Sequence, residues 1–292
     1  MSEYGKRVIT CTNEDGVSIS FGEQGFTPFI LCSAEGIYDI NNTVNTVSNT
    51  IMDGAEYQGT VMQARNIILT VKDIDTFDVN REMIDAVFKK GAVGVLNVLD
   101  DSHSRSIDYY VESVTVPEAT PFSRLTIISL ICPDPYFYDP VDFSVGISNL
   151  MEDFEFEHEF SASGETFAHF NDDHLGVIEN VSANNEIGFT LILVATGNIT
   201  NPKITKVETQ EFIQVGRTGK AFNMSYGDVL TIVTEKGKKN IYYNGTSVNQ
   251  YLTEDSTFFY LTRGNNSLGY TAESGVEYVT IRVMYRYKYM RA

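Results

Sequence analysis

The chain has 292 residues, with 21 Lys and Arg against 39 Asp and Glu, for a formal charge of −18. That balance argues against a nucleic-acid binder, which neutralises phosphates with clustered Lys and Arg. With 42% hydrophobic and 12% aromatic residues the chain can bury a full core, which excludes a disordered tract, and its length suits two domains or one large β domain.

The opening residues, MSEYGKRVIT, show no signal-peptide apolar region. The longest apolar runs, LTIISLIC and FTLILVAT, are too short to span a bilayer, so no membrane partner is expected. Cys11, Cys32 and Cys132 are odd in number, widely spaced and free of any CxxC pattern. They imply neither a disulfide framework nor a zinc site, and read as buried thiols of a protein made in a reducing cytoplasm.

The first unusual segment, Ile37 to Tyr57, is rich in Asn and Thr, with some alternation at Ile40, Val44, Val47 and Ile51. It reads as a long loop or an extended hairpin. A long polar arm in a compact domain is often a contact element. Asn41, Asn42, Thr43, Asn45, Thr46, Asn49 and Thr50 are therefore the candidate inter-subunit residues.

Asp73-Ile-Asp75 starts like a calcium loop, but Phe77 and Asp78 stand where an oxygen ligand and a glycine are needed. These residues are better placed as a lead-in to a helix. DVNREMIDAVFKKG predicts that helix, near 79–90. Asp78 or Asn80 serves as cap, Met83, Ile84, Val87 and Phe88 form the apolar stripe, and Gly91 is the stop.

Strand signals dominate elsewhere: SRSIDYYVESVTV, RLTIISLIC, IGFTLILVA, KITKVET, DVLTIVT, KNIYYNG and EYVTIRVMYRY. CPDPYFYDP, Cys132 to Pro140, carries three prolines and is expected to form no regular element, which makes it the domain boundary. Beyond it, Met151 to Asn180 holds nine acidic residues and no Lys or Arg. Within that stretch FEFEHEF alternates aromatics and charges as a half-buried strand does. His169 and His174 bracket the only His/Asp cluster, but their spacing does not put two imidazoles on one helical face. No nucleophile elbow, P-loop or dinucleotide fingerprint occurs, so no catalytic residue, metal or cofactor is expected.

Near the C-terminus, Asn244-Gly245 between KNIYY and TSV signals a type I′ hairpin. Lys236-Gly237 makes a second turn, where Lys236, Lys238 and Lys239 are expected to be solvated or to protect an edge. Together these segments read as the meander of a β-sandwich.

GDVLTIVTEKGKKNIYYNG, the following SVNQYLTEDSTFFYLTRGNNSLGYTAESG and the final YVTIRVMYRYKY closely resemble the C-terminal end of phage distal tail proteins, the siphovirus-type tail component family. Phe258, Phe259, Leu261, Gly264, Asn266, Tyr270, Thr271, Ala272 and Gly275 fall on that family's pattern, and NPKITKVETQEFIQVG matches its preceding strand pair. The N-terminal half resembles the family less sharply, through element order. The resemblance implies a mainly β chain: an α+β ring-forming domain over residues 1–138 and a galectin-like sandwich over residues 139–292. It further implies a structural, non-enzymatic role as a homohexameric ring at the distal end of a tail tube. The implied partners are the tail tube protein, a tail hub or tail-associated lysin-type protein, and receptor-binding or fibre proteins.

Two other readings compete. A carbohydrate-binding module for host-surface attachment would follow from a galectin-like half, although the chain lacks Trp and its aromatics lie in strand patterns that suit burial. A hydrolase using Glu155, Glu157 or Asp172 has no assignable partner base or nucleophile.

Overall fold

β-branched and aromatic residues alternating with polar ones build most of this chain, and the computed structural model shows them as strands. It describes residues 7–23, 28–48, 53–74, 77–100, 103–117, 125–147, 150–152, 168–170, 175–182 and 186–292. The chain packs as two units. One comprises residues 1–140 together with 288–292, and the other residues 141–287.

The first unit runs β1 (Val8–Asn13), β2 (Ser18–Gly22), β3 (Phe29–Glu35), β4 (Asn42–Ser48), β5 (Ala55–Met62), β6 (Arg65–Asp73) and α1 (Phe77–Val87). It continues with β7 (Val93–Asp100), β8 (His103–Thr115), β9 (Leu125–Cys132) and β10 (Phe137–Tyr138). The strands pair in the order β10-β8-β7-β1-β2-β3-β6-β9, and β9 pairs again with β8. The sheet therefore closes into a barrel, which removes most free edges. Inward residues such as Ile9, Cys11, Phe21, Ile67, Leu69, Leu96, Ile107 and Leu130 form one core.

The helix begins and ends earlier than the sequence suggests, and Asn80 is not its cap. The Asn80 Nδ2 donates to Asp73 Oδ1 at 2.6 Å, and both residues are buried. The side chains of Asp75 and Asp78 lie outside the described residues. Ile84, Val87 and Phe88 are buried as expected, whereas Met83 is exposed. The helix docks on β1 and β2 along a stripe narrower than four residues. Lys89 pairs with Asp15 and Glu14 in the β1–β2 turn, beyond the helix end. Cys11 and Cys132 are buried free thiols, but Cys32 is exposed, because it sits at a register shift in β3 next to Leu31.

CPDPYFYDP is also more regular than its prolines suggest. Phe137 and Tyr138 make a two-residue strand between them, paired to Ser106 of β8 and to β27 (Lys288–Tyr289). The last five residues, which the sequence places with the C-terminal half, thus pack in the first unit.

One core group in this unit lacks a partner. Tyr109 packs against Phe88 with ring centroids 6.1 Å apart, and its buried hydroxyl makes no hydrogen bond among the described residues. Burial pushes its ionisation well up. An unsatisfied buried hydroxyl is a standing cost, so Tyr109→Phe is expected to stabilise the protein by about 1 kcal/mol. A thermal melt checks this, with a rise of about 2–4 °C expected.

The second unit runs β11 (Phe143–Ile147), β12 (Leu150–Glu152), β13 (Ala168–Phe170), β14 (Leu175–Asn180), β15 (Glu186–Ile187), β16 (Phe189–Ala195), β17 (Ile199–Thr200) and β18 (Lys203–Lys206). It continues with β19 (Phe212–Gln214), β20 (Asn223–Met224), β21 (Val229–Val233), β22 (Asn240–Tyr243), β23 (Thr246–Ser247), β24 (Leu261–Thr262), β25 (Gly264–Thr271) and β26 (Val279–Tyr285). Two sheets, β11-β26-β16-β21-β22-β23 and β14-β25-β18-β19, share one core. Leu191, Leu193, Leu230 and Ile281 fill it from the first sheet, and Ile178, Ile204, Leu268 and Tyr270 from the second. This is sandwich packing.

Both expected turns form. Asn244 and Gly245 have φ of 47° and 82°, and Gly237 has φ of 79°. Asp228 braces the first of these turns. It accepts from Tyr243 Oη at 2.6 Å, from the Ser225 backbone N–H at 2.7 Å and from Asn244 Nδ2 at 2.9 Å. The Tyr243 hydroxyl foremost, with the other two donors, holds this carboxyl below its ordinary value. A depressed folded-state pKa gives stability that is present above the unfolded carboxylate value and lost as pH falls through the folded one. Asp228→Asn is therefore expected to remove part of the acid sensitivity below about pH 4. Its cost at neutral pH should be about 1 kcal/mol or less, because the site is partly solvated. Denaturant melts across pH 2–7 read both effects.

FEFEHEF and residues 171–174 lie outside the described residues, as do the side chains of β13, including His169. Among the described residues, no group of three or more His, Cys, Asp or Glu could hold a metal ion. No helix among them is long and apolar enough to cross a membrane.

Candidate functional site

β4 and β5 form a two-stranded antiparallel hairpin that joins no other sheet among the described residues. A lone hairpin is marginal in water, since neither face is covered. Asn41, Asn42, Thr43, Asn45 and Thr46 are all exposed on or beside β4, as the sequence suggested, whereas Asn49 and Thr50 lie outside the described residues. The sequence missed what accompanies the amides. Val44, Val47, Tyr57 and Val61 are 57%, 55%, 63% and 55% exposed. The signal was present in the alternation of Val44 and Val47. It went no further because Tyr57 only closed the segment read as a long loop or an extended hairpin, and Val61 lay beyond it.

The register fixes the faces. A shift between Asn45 and Thr46 places Thr46 opposite Tyr57 and Val44 opposite Thr60. The Tyr57 hydroxyl donates to Thr60 Oγ1 at 2.9 Å, so Tyr57, Thr60 and Val44 share one face. Val61, opposite Thr43, is on the other. Both faces thus expose apolar groups, and both edges leave backbone donors and acceptors open.

The base of the hairpin is held by one buried cation. Arg65 is 4% exposed, and its guanidinium donates to five backbone carbonyls. Those of Asp39, Pro135 and Met290 lie at 2.7, 2.9 and 2.6 Å, and those of Gly36 and Ile37 complete the set. Its charge lies over the Phe137 ring at 5.1 Å. Burial lowers its pKa from the ordinary guanidinium value, the opposite of what an ion pair would do. The cleft lined by Arg65, Asp39, Asn41, Met62, Gln63 and Pro135 holds about 10 Å³, enough for one water and no ligand. The arm springs from a rigid knot rather than from a binding pocket.

In the second unit the motif residues near the C-terminus have structural work to do. Asn266 is fully buried. Its Oδ1 accepts from the Thr262 N–H at 2.8 Å, and its Nδ2 donates to the carbonyls of Thr262 at 2.7 Å and Gly264 at 2.9 Å. Phe259 packs on Phe189 with ring centroids 5.5 Å apart, and Leu261 and Tyr270 are buried in the same core. Gly264 and Gly275 have φ of 93° and 76°. The buried Lys206 donates to Tyr260 O at 2.9 Å and Thr262 Oγ1 at 3.2 Å, and burial lowers its pKa. These groups fix a fold and leave no reactive centre open.

Residues 182–289 match the family model described as siphovirus-type tail component, C-terminal domain. No curated protein matches the sequence closely enough to count as a relative. Among solved structures, the Dit protein of phage SPP1 superposes with a TM-score of 0.67 at 13% identity, over 96% of this chain and 98% of that one. A chain of the phage P2 baseplate, in its activated conformation with calcium, gives 0.55 at 10% identity, over 98% and 99%. At these identities the likeness is one of fold. The resemblance read from the sequence thus holds at two levels: a siphovirus-type tail component domain over residues 182–289, and over nearly the whole length the fold of a phage distal tail protein.

Proposed function

We propose that this chain is a structural protein of a phage tail or tail-like particle, forming a homohexameric ring that joins the distal end of the tail tube to the baseplate hub. In this reading the first unit, residues 1–140 with 288–292, builds the ring, and residues 141–287 form a galectin-like sandwich. The partners are other copies of the chain, the tail tube protein, a tail hub or tail-associated lysin-type protein, and receptor-binding or fibre proteins. The protein acts in the virion tail after synthesis in the bacterial host cytoplasm, and it is not an enzyme. The SPP1 protein of similar fold is described as a paradigm of the hub adsorption apparatus in phages that infect Gram-positive bacteria, and the second similar structure belongs to a baseplate.

The observation that carries the ring is the β4–β5 hairpin. A hairpin with two uncovered faces and four half-exposed apolar side chains is stable when a neighbour covers it. In a closed ring every copy both offers an arm and receives one, so the contact is heterologous. Asn41, Asn42, Thr43, Asn45, Thr46, Asn49 and Thr50 then supply hydrogen bonds around the apolar groups. The double variant Val44→Asp/Val61→Asp is expected to stay folded, with its melting point within about 2 °C of the parent, because neither residue is buried in one copy. It should fail to assemble. Size exclusion with light scattering reads this, and a variant that assembles normally removes the arm from the interface.

A further inference from the structure

Asn244-Gly245 is the only Asn-Gly pair in the chain. Asparagine is chemically labile, and this pair most of all, because glycine puts no Cβ beside the nitrogen that attacks. The Gly245 backbone nitrogen adds to Asn244 Cγ and gives up its proton, and Nδ2 departs as ammonia. The product is a cyclic succinimide, which solvent water opens to aspartate or to isoaspartate. Both residues are exposed, and a Cβ built on Gly245 would meet open space, so water reaches the pair.

The folded turn opposes these steps. Asn244 Oδ1 accepts from the Val229 N–H at 2.8 Å, Nδ2 donates to Asp228 Oδ1 at 2.9 Å, and the Asn244 backbone N–H donates to Val229 O at 2.9 Å. Both ends of the carboxamide are therefore tied to the start of β21. The φ of 47° belongs to the left-handed region, whose positive ψ turns the following nitrogen away from Cβ. Ring closure needs those two atoms nearly eclipsed. Departure of Nδ2 as ammonia also calls for a proton. Asp228, kept ionised by Tyr243 Oη at 2.6 Å and the Ser225 N–H at 2.7 Å, has none to give.

We propose that Asn244 is a site of spontaneous deamidation gated by this turn. It stays an asparagine while the turn is closed, reacts when the turn opens, and cannot restore the turn afterwards. The product fails to fit for a physical reason. An aspartate puts a carboxylate oxygen where Nδ2 stands, 2.9 Å from Asp228 Oδ1, so that two acceptors of like charge face each other. Isoaspartate lengthens the backbone inside a two-residue hairpin loop, where the turn geometry sets the strand register. The modification is therefore a one-way record of local opening. The proposal rests neither on ring formation nor on the tail reading.

The test incubates the full chain at mildly alkaline pH and follows the tryptic peptide containing Asn244 by mass spectrometry. The synthetic peptide KNIYYNGTSV serves as the unfolded reference. Asn244 in the folded parent should react at least about tenfold more slowly than in the peptide. Asp228→Ala unties Nδ2 and should raise the folded rate about tenfold. Gly275→Ala destabilises the same unit away from the turn and should leave the rate at the parent's value, because the gate is local. Asn244→Asp, which stands for the product, should lower the urea midpoint at neutral pH. Urea denaturation also establishes that each variant is folded. A parent rate equal to the peptide's overturns the proposal. So does an Asp228→Ala rate no faster than the parent's, a Gly275→Ala rate raised as far as that of Asp228→Ala, or an Asn244→Asp protein as stable as the parent.

Discussion

Arg65→Met should cost about 3–5 kcal/mol, the largest loss expected from a single side chain in the first unit. The guanidinium reaches carbonyls from three separated parts of the chain: Gly36 to Asp39, Pro135 and Met290. Methionine keeps the apolar stem and none of the donors. Each buried carbonyl left unpaired costs about 1–3 kcal/mol, with partial relief where water enters. Arg65→Lys should recover only part of the loss, since an ammonium lacks the planar fork that serves several acceptors at once. Urea denaturation with unchanged m-value reads the effect. A loss below about 1 kcal/mol would show that the carbonyls are solvated by other means and that the knot does not hold the arm's base.

Gly275→Ala should cost about 3 kcal/mol or more in the second unit. Two effects combine at this position. Its φ of 76° is in the left-handed region, where any Cβ is strained by about 1–2 kcal/mol. That Cβ would also stand well inside van der Waals contact with the backbone carbonyl of Asn198. Neither loop can yield without disturbing the pairing around Thr200, whose N–H donates to Ser274 O at 3.0 Å. Gly237→Ala separates the two contributions. Its φ is 79°, almost the same, but a Cβ there meets nothing within 4 Å. It should lose only the strain, about 1–2 kcal/mol. Equal losses at both positions would assign the whole effect to φ.

The two glycines also illustrate what was legible in the sequence. Gly237 could be read from its local turn, because Lys-Gly between two apolar runs specifies a hairpin. The need for Gly275 depends on Asn198, far along the chain, and only a family pattern points to it. The same division runs through the fold. Runs of β-branched and aromatic residues located β8 and β9 in the first unit and β16, β18, β21, β22 and β26 in the second, but left β6 and β7 unread. Closure of the first sheet into a barrel depends on β8 pairing with β7 in one half and β9 in the other, which no local pattern encodes. The Phe137–Tyr138 strand went unread because its prolines end a regular element locally. The strand survives through Phe137 burial and pairing with the chain's last residues. In the arm, Asn and Thr were visible as turn formers. The exposed Val and Tyr became informative only once the register showed that nothing covers them.

The central claim is that copies of this chain close into a ring through the first unit. The most direct measurement is the native mass of the purified protein, by light scattering after size exclusion, with negative-stain images of the same peak. A ring of about six chains is the predicted result, and the arm variant should run as a monomer in the same experiment. A parent protein that stays monomeric alone and also when mixed with tail tube and hub proteins would contradict the ring.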